Sequence, residues 1–185
     1  GQLTKGLKAL RRAHGLDSTD AETAFSMGNC FAAQREFDSA AQYYAESIRH
    51  GKKTDQAYYF LGMSQRSLGD LEAAEESFKK GININPENKT CLQALGGVYA
   101  ARKKYAMAAE QFKKVLALDS TYYPAQIGLG AAYYFMRDFA HADTVLYNLF
   151  QVDSSYGFQL LNLIKKEADR QRAARRKNQP DSTGH

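Results

Sequence analysis

Four glycines sit 34 residues apart, at Gly28, Gly62, Gly96 and Gly130, and four alanines keep the same step at Ala40, Ala74, Ala108 and Ala142. A period of this length constrains the chain to an array of similar units, each stacked on its neighbours. Each glycine lies inside an otherwise helical pattern, where it costs roughly 1 kcal/mol relative to alanine. Four such costs at one phase point to close helix–helix approach, where only a hydrogen fits. The alanines mark the matching seam on a second helix, where a larger side chain would overpack by roughly 1–3 kcal/mol.

The rest of each unit repeats at the same step. Met27, Leu61, Leu95 and Leu129 precede the glycines by one residue, and Tyr44, Phe78, Phe112 and Leu146 follow the alanines by four. Phe37, Leu71, Tyr105 and Phe139 precede the alanines by three. Spacings of three and four place these side chains on one face of a helix. The pattern predicts paired amphipathic helices at 21–34 with 38–51, 55–68 with 72–85, 89–102 with 106–119, and 123–136 with 140–153.

Aligned in this register, the third unit reads Leu92, Leu95, Gly96, Tyr99, Ala108, Phe112, and the second reads Tyr58, Leu61, Gly62, Ala74, Phe78, Pro86. The fourth reads Leu129, Gly130, Tyr133, Ala142, and the first Met27, Gly28, Phe31, Ala40, Tyr44. Residues 21–156 thereby resemble the tetratricopeptide repeat (TPR) family, whose pattern is W-x2-L-G-x2-Y, then A-x3-F, then P. No unit carries the Trp, and only the second carries the closing Pro. The resemblance implies an all-α fold, a right-handed superhelical array of antiparallel helix pairs, with units at 21–54, 55–88, 89–122 and 123–156.

The register continues at both ends. Gly6 falls at the alanine phase, and Leu16-Asp17-Ser18-Thr19 matches Leu118-Asp119-Ser120-Thr121. Residues 1–20 therefore read as the second helix of a truncated upstream unit, or as an N-terminal cap. The start at Gly1 favours a fragment of a longer array. On this reading Leu3, Leu7 and Leu10 form an uncovered seam, available for self-association through the N-terminal helix. Downstream, Ser154-Ser155 are placed to cap a last helix at 157–177, whose Phe158, Leu161 and Ile164 would cover the end of the array. Residues 178–185, with Pro180 and Gly184, read as a disordered tail.

Composition narrows the function. The net charge of +5 is concentrated at 165–177, where Lys165, Lys166, Arg170, Arg172, Arg175, Arg176 and Lys177 face only Glu167 and Asp169. This reads as a solvated helix end, whose cations suit the helix dipole. A nucleic-acid surface is disfavoured, since no aromatic is interleaved to stack bases. His14, His50, His141 and His185 lack zinc-ligand spacing, and Cys30 and Cys91 read as core residues rather than a disulfide. Asn88-Lys89-Thr90 is a formal glycosylation sequon at a turn. No phosphate loop, nucleophile elbow or paired-carboxylate pattern is present, so no enzyme, cofactor or metal is expected. No stretch approaches 18 apolar residues, so no membrane span is expected. No signal peptide is visible, which favours the cytoplasm without fixing the compartment.

The resemblance also implies that the first helix of each unit lines a concave groove. The groove would present Phe25 and Asn29 from the first unit, then Tyr59, Met63 and Arg66 from the second. Gln93, Gly97 and Ala101 follow from the third, and Ile127, Ala131 and Tyr134 from the fourth. Large apolar side chains around a shallow stretch at Gly97, Ala100 and Ala101 suit an extended segment or helix of a partner. The alternative is that the aromatics pack between neighbouring helices. A chaperone-type carboxylate clamp is disfavoured: of its positions, here Phe25, Asn29, Phe60, Thr90 and Ala94, only Asn29 agrees. The expected function is a non-enzymatic scaffold or adaptor for a protein or peptide partner. The alternatives are a self-assembling scaffold and the regulatory part of a larger enzyme.

Overall fold

The computed structural model describes residues 2–177, with side chains over 5–174. It contains ten α-helices: α1 Gln2–Leu16, α2 Ala21–Ala33, α3 Phe37–Arg49, α4 Asp55–Leu68, α5 Leu71–Ile84, α6 Lys89–Ala101, α7 Tyr105–Leu118, α8 Tyr123–Phe135, α9 Phe139–Val152 and α10 Ser154–Lys177. The four pairs read from the period are all formed. The tail expected at 178–185 lies outside the described residues.

The starts of α2, α4, α5 and α6 are set by short polar side chains. Asp20 accepts from the amides of Glu22 and Thr23, Thr54 from Ala57, Asp70 from Ala73, and Asn88 from Cys91. Each satisfies amides that the first turn leaves free. Asn88 also donates through Nδ2 to Asp55 Oδ2 at 2.8 Å, tying the start of α6 to the start of α4.

The turns inside the units share one geometry. Arg35, Gly69, Lys103 and Arg137 all have positive φ, at 63°, 87°, 61° and 65°. The next amide in each case, of Glu36, Asp70, Lys104 and Asp138, donates to the carbonyl five residues back, of Phe31, Gln65, Tyr99 and Tyr133. This is the left-handed C-terminal cap closed by a six-to-one hydrogen bond.

The repeating glycines and alanines do what their phase implies. Ala40, Ala74 and Ala108 are fully buried and Ala142 nearly so. A Cβ at Gly28 would lie 2.7 Å from the Tyr44 ring, at Gly62 2.7 Å from Phe78, and at Gly96 2.6 Å from Phe112. The bare face of the first helix thus receives the aromatic of the second. In the fourth unit Leu146 does not fill this place. The space beside Gly130 is taken by Leu160 of α10, 2.7 Å from the Cβ position, and by Val145 at 3.0 Å.

Both ends differ from the reading of the sequence. Leu7 is 8% exposed and packs with Leu10 into the cluster of Met27, Phe31 and Tyr44, so this part of the N-terminal seam is closed on the chain's own first unit. The last helix begins at Ser154 rather than 157. Its first turn is capped by Asp153 Oδ1, which accepts from the Ser155 amide at 2.7 Å, and not by the two serines. The covering face also differs from the one expected. Leu160 is fully buried, Tyr156 stacks on Tyr123 at 4.3 Å, and Ile164 is half-buried, while Phe158 and Leu161 are 57% and 40% exposed.

Candidate functional site: the concave face

The even-numbered helices form the inner layer: α4 packs on α6, α6 on α8, and α8 on α10. Two hollows open on this layer. The first, of about 200 Å³, is lined by Ala32, Phe37, Tyr44, Tyr59, Phe60, Met63, Ser64 and Ser67. The second, of about 310 Å³, lies between α6, α8 and α10. Its floor is small or aliphatic, with Gly97, Ala100, Ala101, Ile127, Gly128 and Ala131.

Seven of the eleven expected groove residues line these hollows. Tyr59 and Met63 belong to the first; Gln93, Gly97, Ala101, Ile127 and Ala131 belong to the second. Arg66 stands between them, its Nη1 3.6 Å from the Cβ position of Gly97. Three residues are placed differently. Phe25 is 8% exposed and sits in the core, with its ring 5.5 Å from Tyr44 and 5.8 Å from Phe60. Asn29 is exposed and accepts a hydrogen bond from the Tyr44 hydroxyl at 2.8 Å. Tyr134 lines neither hollow; its ring lies edge-on to Phe135 and Phe139. Phe25 is withdrawn because the adjacent unit supplies Phe60, a large partner that a one-unit reading of the face leaves out.

One wall of the second hollow comes from α10. Leu163, Glu167 and Arg170 line it, and Gln171 Nε2 donates to the Tyr105 hydroxyl at 2.8 Å. The spacing of 163, 167 and 170 is helical, but a charged run looks solvated until its helix is placed against another. Burial raises the Tyr105 phenol above its ordinary value, and the charge of Glu167 adds to the shift. Burial likewise raises Tyr59, against the pull of Arg66. Both phenols therefore remain neutral hydrogen-bonding groups at neutral pH.

Gln93 Nε2 donates to the Pro124 carbonyl at 3.3 Å, while its Oε1 is buried without a partner. No cluster of three metal-ligating side chains occurs among the described residues, and none of their helices is long and apolar enough to cross a membrane.

A family model described as tetratricopeptide repeat matches residues 55–88. The chain is 29% identical over 131 residues to BBSome complex member BBS4 of Bos taurus, covering 71% of this chain and 25% of that protein. It is 27% identical over 116 residues to Anaphase-promoting complex subunit 3 of Schizosaccharomyces pombe, covering 63% and 17%. The chain thus spans a quarter or less of the length of these curated relatives. Among solved structures it superposes on YrrB, described as a TPR protein with an unusual peptide-binding site. The TM-score is 0.78 at 20% identity, covering 87% of this chain and 84% of that one. At that identity the likeness is one of fold.

Proposed function

We propose that this chain, a tetratricopeptide-repeat protein, holds a segment of a partner protein across its concave face as a non-enzymatic scaffold. The second hollow carries the reading. It is an apolar space of about 310 Å³ with a floor of glycines and alanines, wide enough for a bulky side chain of an occupant. Two of the relatives are members or subunits of multiprotein complexes by name, which supports a role in assembly.

The test is selection from a random peptide library displayed on phage, followed by binding to the Ala101→Trp variant. Ala101 is exposed and lines the hollow, so the indole fills the space without entering the core. Selected peptides should bind the wild-type chain and lose binding to the variant. Equal binding to both would place the interaction elsewhere. A self-assembling scaffold is the second reading. It is favoured by Phe139, Tyr147 and Phe158, each more than half exposed near the C-terminal end of the array.

A further inference from the structure

The inner layer holds a cation with no anion. Arg66 is half-buried, yet its guanidinium forms no ion pair and no hydrogen bond among the described residues. Cations at the neighbouring unit boundaries are matched. Lys52 pairs with Glu22 at 2.5 Å, Lys89 with Asp119 at 2.8 Å, and Arg102 with Glu72 and Glu75 at 2.7 and 2.5 Å. A guanidinium offers five donors in a planar fork, and leaving them unpaired in a partly desolvated site is costly.

Its position is as informative as its charge. Arg66 follows Met63 by one helical turn, so it borders the first hollow. It also reaches to within 3.6 Å of the Cβ position of Gly97, so it borders the second. The cation therefore lies next to a lining residue of each recess, Met63 of the first and Gly97 of the second. A carboxylate would satisfy the guanidinium. A single cation between two apolar hollows does not suit a nucleic-acid backbone, which requires many.

We propose that the concave face recognises an acidic residue set between two bulky apolar residues, its carboxylate on Arg66 and the apolar side chains in the two hollows. This rests on the groove reading above.

The experiment pans the same random peptide library on the wild-type chain and on Arg66→Glu. Peptides whose binding is lost on Ala101→Trp are kept as groove ligands. In the wild-type pool the kept peptides should share Asp or Glu with Leu, Ile, Met or Phe on either side. In the Arg66→Glu pool the flanking residues should persist while Lys or Arg replaces the acid. Individual acidic peptides should bind Arg66→Glu at least about tenfold more weakly, as expected for losing one charge-assisted pair. Arg66→Gln, which keeps the length and drops the charge, repeats the measurement should the reversed charge disturb the fold. Groove ligands with no shared acid, or unchanged affinity on both Arg66 variants, would overturn the proposal and leave the groove reading standing. A library that yields no peptide sensitive to Ala101→Trp would remove both.

Discussion

Gly96 and Gly97 are adjacent on α6 and have opposite surroundings. A Cβ on Gly96 meets Phe112 at 2.6 Å, and the same ring is held from its other side by Gly128, again at 2.6 Å. The ring has nowhere to retreat. Overpacking of roughly 1–3 kcal/mol should therefore outweigh the helix propensity that alanine restores, about 1 kcal/mol. A Cβ on Gly97 meets only the flexible end of Arg66, at 3.6 Å. Gly96→Ala is thus expected to lower the urea midpoint, and Gly97→Ala to raise stability by about 0.4–1 kcal/mol. Shifts of the same sign in the two variants would contradict the clamp on Phe112. Gly96 was legible from its phase. Gly128 was not, because it lies outside the 34-residue glycine register and the ring it accommodates belongs to the preceding unit.

The helices were legible because their seams depend on side-chain size, which the sequence displays. The turns between them were not, because what repeats there is a backbone conformation. Arg35, Lys103 and Arg137 adopt the same left-handed geometry as Gly69, and nothing in an arginine or lysine announces it. An L-residue in this region costs roughly 1–2 kcal/mol. Lys103→Gly should therefore raise stability by about 1 kcal/mol in thermal unfolding, and Gly69→Lys should lower it. The α5–α6 junction makes a second prediction. Glu75 is 8% exposed and contacts Lys79, Arg102 and Lys104. Burial alone would raise its carboxyl, but the Lys79 hydrogen bond and the charges of Lys79, Lys104 and Arg102 hold it below the ordinary 4.5. A depressed carboxyl contributes stability above its unfolded value and loses it as pH falls through the folded one. Wild type should exceed Glu75→Gln in urea midpoint near neutral pH. The two curves should converge as the carboxyl protonates; a constant gap down to about pH 3 would argue against this ion pairing.

Across the whole molecule, each helix packs on the next and, in the inner layer, on the next but one. Such an array is held by nearest neighbours, so damage stays local. The sequence displayed this organisation but not how α10 closes it, because Leu160 lies off the seam of Phe158, Leu161 and Ile164 that periodicity suggested. Leu160→Ala should remove about 2–5 kcal/mol of packing. The loss should appear first as faster amide exchange in α8–α10. The middle of the array carries its own timer for comparison. Cys91 is fully buried, its thiol faces the Asp55 carbonyl at 3.8 Å, and burial, with the nearby charge of Asp55, pushes it up to about 12. An alkylating reagent needs an exposed thiolate. Reaction at Cys91 therefore waits for α5 and α6 to separate, whereas the half-buried Cys30 has less to wait for. The alkylation rate of Cys91 counts openings at the centre of the array. In Leu160→Ala it should keep its wild-type pace while exchange at the C-terminal end accelerates.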